Sequence, residues 1–126
     1  MTKKNPKAFP FADRELTLQI MDIIEIAKIQ NHLKKGANEV AKTINKGYAE
    51  IAIIAADSDP IEIVLHLPLL CEDKNVPYIF VGNKQVLGKA CGLGRSVIAC
   101  CISRGGDSTY NEQLRNLNNK IEKFLN

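Results

Sequence analysis

The sequence predicts an α/β fold, a three-layer α/β/α sandwich around a small mixed sheet of four strands. Segments with helical periodicity alternate with short apolar segments along the chain, which is typical of helices packed on both faces of a sheet. The run at residues 51–56 is apolar without interruption, as in a central strand covered on both faces. No repeat, linker or low-complexity tract divides the 126 residues. We therefore expect one domain over residues 1–126.

The first part of the chain predicts two helices joined by an edge strand. Apolar residues recur at steps of four, three and four at Leu16, Ile20, Ile23 and Ala27. With Asp13 as its N-cap, this pattern predicts a helix over residues 13–31. An extended segment follows at residues 32–35. The second helix should begin at Ala37 or Asn38 and end at Gly47.

The middle of the chain predicts the central strand and a helix interrupted by proline. The strand at residues 51–56 is followed by Asp-Ser-Asp-Pro, in which Asp59 should cap a helix that starts at Pro60. Pro68 should kink or split that helix, because its ring opposes the carbonyl group of Val64. We expect the helix to resume through Lys74.

The last part of the chain predicts two further strands, at residues 78–81 and 97–102, and two further helices, at residues 84–91 and 110–125. The closing helix should turn four apolar residues inward, Leu114, Leu117, Ile121 and Phe124.

Several classes of protein are excluded by composition and by residue spacing. The chain is 45% hydrophobic and 25% charged, as in ordinary globular proteins, and its apolar runs are too short to span a membrane. Its N-terminus has no apolar segment typical of a secretory signal, so we expect a cytosolic or nuclear protein. The four cysteines, Cys71, Cys91, Cys100 and Cys101, form no C-x-x-C motif. They therefore predict reduced, buried thiols rather than disulfides or a metal site.

Charge is segregated along the chain although the net charge is only +3. Residues 28–46 hold five basic side chains and one acid, and residues 84–104 hold four basic side chains and no acid, whereas residues 47–73 hold six acids and no base. If the two basic stretches meet, they form a positive face with an acidic flank, which is typical of a protein that binds phosphate backbones. An alternative interpretation has equal weight, namely that these lysines only lie on solvent-exposed helix faces.

No catalytic motif emerges from the sequence. Gly92-Leu93-Gly94 lies between a predicted helix and a predicted strand, the reverse of the order in nucleotide-binding loops, and the G-x-G-x-x-G pattern fails at Val97. His66 has no nucleophile or orienting acid at a recognisable spacing. We expect no catalytic residues, no cofactor and no metal. The alternative function is that of a small α/β enzyme or nucleotide-binding protein.

The most informative segment is residues 34–42, Lys-Lys-Gly-Ala-Asn-Glu-Val-Ala-Lys, at the start of the second predicted helix. Glu39 is unusual in so basic a segment, because phosphates repel a carboxylate unless a specific donor faces it. The imino and amino groups of guanine are such donors. Asn38 can bond another base edge, and Lys42 lies one turn further on the same face. In the alternative interpretation, Asn38 is only the N-cap and Glu39 only favours the helix dipole.

The same residues carry a family resemblance. GANEVAK, at residues 36–42, resembles the GANE[AV]-x-K signature of the kink-turn RNA-binding family related to archaeal ribosomal protein L7Ae. The likeness extends over essentially the whole chain. NPKAFPFAD, AADSDPIEIVLHLPLLCEDKNVPYIFV and LGKACGLGR are similar to the eukaryotic spliceosomal and nucleolar branch of that family.

The resemblance implies an RNA-binding module that recognises the kink-turn, two stems joined by a loop with tandem sheared G·A pairs and an extruded nucleotide. Asn38, Glu39 and Lys42 would read the sheared guanines. Five residues would line the pocket of an extruded uridine, namely Asp59, Ile63, Lys84, Arg95 and Ile98. The implied RNA-binding set also includes Lys35, Gly36, Leu93 and Gly94.

The resemblance also implies partners. These are U4 small nuclear RNA, box C/D small nucleolar RNA and Nop-domain proteins, in splicing and rRNA-processing particles of the nucleus and nucleolus, with a chain that is monomeric when free. The chain departs from the pattern at three places. Asp59 replaces Glu, Ala41 replaces Thr, and residues 93–96 read Leu-Gly-Arg-Ser rather than Val-Ser-Arg-Pro. Because Asp59 is one methylene shorter and Gly94 lacks a hydroxyl, we expect these departures to affect RNA and partner selectivity.

Overall fold

A computed structural model describes residues 10–105 and 108–125 of the chain. Helices and strands alternate along these residues. Their bounds are α1 (Arg14–Ile29), β1 (Leu33–Lys35), α2 (Ala37–Asn45), β2 (Ala49–Ala55), α3 (His66–Lys74), β3 (Tyr78–Val81), α4 (Lys84–Ala90), β4 (Ala99–Ser103) and α5 (Ser108–Leu125). A short 3-10 turn, Ile61–Ile63, precedes α3.

The four strands form one mixed sheet in the order β1-β4-β2-β3. β2 and β3 are parallel, with Ile53 opposite Ile79, whereas β4 runs antiparallel to both β1 and β2. This arrangement confirms the predicted four-stranded mixed sheet. It also brings the carboxyl ends of β1, β2 and β3 to the same edge as the amino end of β4.

The sheet separates two hydrophobic cores. Helices α1, α4 and α5 pack on one face and α2 and α3 on the other, which gives the three predicted layers. Ile53 of β2 contributes to the first core and Ile54 to the second, so β2 is buried on both faces as its composition predicts. Cys100 and Cys101 likewise belong to opposite cores, and all four cysteines are free thiols, as expected.

The segment between β2 and β3 corrects one prediction. Asp59 does not cap a helix and Pro60 does not start one, because Pro60 precedes only the 3-10 turn and α3 begins at His66. The helical stretch is split as expected. The break lies at Val64 and Leu65, so Pro68 falls in the first turn of α3, where a missing N–H group breaks no helical hydrogen bond.

Other boundaries differ by a few residues. Asp13 caps α1 as predicted, since its Oδ1 accepts from Leu16 N at 2.8 Å. β4 begins at Ala99 rather than at Val97, because Val97 N donates outside the sheet to the carbonyl oxygen of Lys84 at 3.0 Å. Of the predicted inward side chains of α5, Leu114, Leu117 and Ile121 are buried, and that of Phe124 lies outside the described part. Residues 5–9 of NPKAFPFAD also lie outside it.

Candidate nucleic-acid interface

All twelve residues proposed from the sequence lie on or next to one edge of the sheet. Lys35 ends β1 and leads into α2, Asp59 and Ile63 follow β2, and Lys84 begins α4 after β3. Gly36 is the N-cap of α2, and Asn38, Glu39 and Lys42 lie in that helix. The loop that enters β4 supplies the last four, Leu93, Gly94, Arg95 and Ile98. The topology therefore gathers four segments that are far apart in the sequence.

Hydrogen bonds join these segments to one another. Gly36 N donates to Ala99 O at 2.8 Å, which ties the start of α2 to β4. Ala55 N donates to Ile98 O at 2.8 Å, and Val97 N bonds Lys84 O. These bonds hold the backbones of the segments in a defined arrangement along this edge.

The start of α2 is formed by a glycine without a side-chain cap. Gly36 has φ +90° and ψ 147°, and it is the N-cap of α2. Asn38 is therefore not the N-cap, and the purely structural interpretation of that residue is wrong. Asn38, Glu39 and Lys42 are exposed. The helix start presents a carboxylate, an amide and an ammonium group to solvent beside its own amide groups, which favour anions.

The residues of the expected uridine pocket are at the same edge with different exposures. Asp59 is exposed and Ile63 is 43% exposed, whereas Lys84 and Ile98 are half-buried. An exposed isoleucine beside charged groups offers an apolar surface to a base.

Arg95 lies in a recess of about 440 Å³ between α4 and the loop before β4. Leu93 and Gly94 line the same recess, with Asn83, Lys89 and Ser96, but Asp59, Ile63 and Lys84 do not. Gly88 of α4 permits this packing, since an added Cβ would overlap the carbonyl oxygen of Arg95. The structure thus brings the three loop residues together in the recess, whereas Asp59, Ile63, Lys84 and Ile98 do not line it.

Sequence reasoning missed Asp57 and treated it only as part of the Asp-Ser-Asp-Pro turn. Its Oδ1 accepts from Lys84 N at 2.8 Å and so connects the loop after β2 to α4. The pairing joins residues 27 positions apart, so local sequence carried no signal for it.

Sequence reasoning also missed a groove beside α2, here called the α2 groove. It has a volume of about 400 Å³ and is lined by Lys34, Glu39, Lys42, Thr43, Lys46, Tyr48, Ser103 and Arg104. Arg104 comes from the second basic stretch and the three lysines from the first, so the two stretches do meet. Charge segregation was the signal for this face, although it could not identify the groove.

Within residues 10–105 and 108–125, no group of three His, Cys, Asp or Glu side chains is arranged to hold a metal ion. None of the helices in those ranges is long and apolar enough to cross a membrane.

Comparisons with known proteins agree with this geometry. The chain is 54% identical over 125 residues to the 13 kDa ribonucleoprotein-associated protein of Yarrowia lipolytica, covering 99% of each chain. It is 52% identical over 121 residues to the NHP2-like protein 1 homolog of Drosophila melanogaster, covering 96% of this chain and 95% of that one.

A solved structure, the Giardia lamblia 15.5kD RNA binding protein, matches with a TM-score of 0.91 and 43% identity over 95% of this chain and 98% of its own. The profile of the ribosomal protein L7Ae/L30e/S12e/Gadd45 family matches residues 19–111, which is most of the chain. The chain therefore belongs to the ribosomal protein L7Ae/L30e/S12e/Gadd45 family.

Proposed function

We propose that the chain binds kink-turns in RNA through the sheet edge formed by α2, α4 and the loops around β2 and β4. At the coarser level, the chain is an RNA-binding ribonucleoprotein of its family and not an enzyme. Its relatives are named as RNA-binding and ribonucleoprotein-associated proteins. The observation that carries the finer proposal is the exposed Glu39 at an uncapped helix start, surrounded by lysines.

Glu39 has the chemistry of a base reader. In a surface that only attracts phosphate, a carboxylate weakens binding, because it repels the backbone. Opposite the imino and amino groups of a sheared guanine it becomes a charge-assisted acceptor. Asn38 then bonds the neighbouring base edge, and Lys42 contacts base or phosphate one helical turn further on.

The remaining residues divide into two groups. Asp59, Ile63, Lys84, Arg95 and Ile98 receive the extruded uridine, with Ile63 and Ile98 against the base and the two cations near its phosphate. Lys35, Gly36, Leu93 and Gly94 form the borders of the site. Recognition of splayed, unstacked bases is the usual mode of sequence-specific RNA binding.

The expected RNAs are U4 small nuclear RNA and box C/D small nucleolar RNA, and the expected protein partners have Nop domains. The chain would bind as a monomer in the nucleus and nucleolus and would nucleate splicing and rRNA-processing particles. Two observations support this assignment. The chain is similar over nearly its full length to an NHP2-like protein, and it is similar over nearly its full length to a ribonucleoprotein-associated protein.

Glu39→Gln tests the proposal because it preserves side-chain size and makes the protein more positive. We expect it to lower affinity for a kink-turn RNA about ten- to a hundredfold, since a charged acceptor opposite guanine is worth about 1 to 3 kcal/mol. The measurement is a titration against that RNA and against a control in which Watson–Crick pairs replace the sheared pairs.

The matched variant is Glu122→Gln on α5, an exposed glutamate on the other face of the sheet. It makes the same change in net charge and should leave both affinities unchanged. If Glu39→Gln binds the kink-turn as tightly as the unaltered chain, Glu39 reads no guanine and the proposal is wrong.

A further inference from the structure

The α2 groove contains an aromatic side chain in an exposed position. Tyr48 is 61% exposed, and it is the aromatic member among the exposed large apolar side chains of residues 10–105 and 109–123. It follows α2 directly, beyond Gly47 with φ +79°. An exposed aromatic ring offers a flat face for stacking, and its surroundings indicate which ligand suits it.

Those surroundings are cationic and continuous with the proposed kink-turn site. Glu39, Lys42, Thr43 and Lys46 recur at steps of three and four, so they share one face of α2, and this face forms one wall of the groove. Lys34 of β1 and Arg104 after β4 add two further cations. The groove therefore runs from the proposed guanine reader at one end of α2 toward Tyr48 at the other.

The wall opposite α2 is firmly held. Tyr48 N donates to Thr43 O at 3.1 Å, and Tyr48 O accepts from Arg104 N at 3.0 Å. The Nε atom of Arg104 lies 3.0 Å from Glu50 Oε1, which orients the guanidinium group. Beneath it, Ser103 N donates to His32 O at 2.8 Å, and the hydroxyl of Tyr110 donates to Ser103 O at 3.1 Å. The backbone of Tyr48 and the guanidinium group of Arg104 are thus held on the same wall of the groove.

We propose that the α2 groove binds an unpaired nucleotide of the same RNA, flanking the kink-turn, with its base stacked on Tyr48 and its phosphate near Lys46 and Arg104. Cations alone would accept paired and unpaired RNA equally. An aromatic ring in a cationic groove favours an unpaired base, since only such a base offers a free face for stacking. This inference rests on the proposed function, because the kink-turn site must first bring the RNA to the groove.

The experiment compares kink-turn RNAs with and without a flanking extension, using the full chain. The extension is a short run of unpaired adenosines at either end, and a third RNA carries a base-paired extension of equal length. We expect the unpaired extension at one end to raise affinity. Tyr48→Ala should then bind that RNA about tenfold more weakly, bind the unextended RNA normally, and lose the quenching of a 2-aminopurine placed in the extension.

Two further variants separate stacking from charge and from folding. Tyr48→Phe keeps the ring and should retain both affinity and quenching. Lys46→Gln should lower the slope of log affinity against log salt by about one on the extended RNA, whereas Lys123→Gln, on α5 and away from the groove, should not.

Several results would overturn the inference. The first is that Tyr48→Ala binds the extended RNA as tightly as the unaltered chain does. Another is an equal gain from the paired extension, which would make the groove a duplex-backbone contact. If the unextended RNA is bound and no extension adds affinity, the inference is wrong while the proposed function stands. If wild type does not distinguish the kink-turn from its Watson–Crick control, both are wrong.

Discussion

Gly36 determines at the level of one residue how α2 meets its ligand. Its φ of +90° with ψ of 147° lies in a region of backbone space that is essentially reserved for glycine. In this conformation Gly36 N bonds Ala99 O, while Gly36 O accepts from Val40 N at 3.0 Å, so the residue turns the chain from β1 into α2. No side chain caps the helix, and its amide groups face the edge where the RNA is proposed to bind.

Gly36→Ala should lower the free energy of unfolding by about 1 to 3 kcal/mol, the cost of a strained backbone conformation. No other atom lies within 4 Å of the position that the added Cβ would take, so steric overlap does not contribute. Gly94→Ala is the matched control. Gly94 also has open space for a Cβ and does not have a positive φ. Urea unfolding of both variants is the measurement, and equal losses would contradict the backbone argument.

At the residue scale, the sequence was sufficient to propose groups that lie in one short segment. Asn38, Glu39 and Lys42 were proposed because helical spacing puts them near one another in a basic segment, and all three are exposed in the structure. Asp57 and Tyr48 were not found. Asp57 acts on Lys84 across the sheet edge, and Tyr48 gains its setting from Arg104, which the chain reaches only after three more strands. Contacts of this kind depend on topology rather than on local pattern.

At the scale of elements, α4 depends on two side chains at its N-terminus. Asn83 Oδ1 accepts from Gln85 N at 2.8 Å and from Val86 N at 3.1 Å, whereas Asp57 accepts from Lys84 N. The first residue caps its own helix, and the second attaches that helix to the loop after β2. Asp57 therefore positions Lys84 and, through the Lys84–Val97 bond, the loop that carries Arg95.

Asp57→Ala should lower the free energy of unfolding by about 1 to 2 kcal/mol, because it removes an acceptor from a helix-start amide. It should also weaken kink-turn binding, although Asp57 itself is not placed against the RNA. Asp73→Ala, at an exposed aspartate of α3, serves as the control and should leave stability within about 0.5 kcal/mol. Thermal unfolding and RNA titration are the measurements. Wild-type stability in Asp57→Ala would show that α4 does not need this bond.

Element boundaries were harder to predict than the elements themselves. The strand at residues 51–56 was predicted from its apolar run, but β2 begins earlier, at Ala49, which pairs with Ser103 of β4. Glu50 concealed this start because a charged residue interrupts the apolar pattern. A helix was predicted to start at Pro60 with Asp59 as its cap. This stretch starts instead as a 3-10 turn, and Val64 and Leu65 separate that turn from α3. Sequence periodicity does not distinguish such turns from the first turn of an α-helix.

At the scale of the whole molecule, the core between the sheet and helices α2 and α3 encloses two thiols that stay protonated. Burial raises the pKa of the Cys71 thiol from its ordinary value of 9.0 to about 12, and it raises that of Cys101 to about 12 as well. Both lie in the core between the sheet and helices α2 and α3. Because the folded chain holds these protons more tightly than the unfolded chain, deprotonation favours unfolding.

The contribution of these two thiols to stability should therefore be constant below pH 9 and should be lost as the pH rises from 9 toward 12. Cys71→Ala should reduce the slope of that fall, because one titrating group is removed. Val76→Ala is the control, since Val76 belongs to the same core and does not ionise. It should lower stability at every pH without altering the slope. Urea unfolding across the alkaline range is the measurement, and an unchanged slope in Cys71→Ala would contradict the assignment.

The short contact between residues 10–12 and β3 has a consequence for how the protein meets other molecules. Phe80 N donates to Pro10 O and Ala12 N donates to Phe80 O, both at 2.8 Å, so this segment covers the outer side of β3. The opposite edge strand, β1, is three residues long and carries two exposed lysines. Within residues 10–105 and 108–125, a peptide strand or an aggregating second copy therefore finds no long, bare backbone edge to extend. We expect protein partners to bind helix and loop surfaces rather than to add a strand to the sheet.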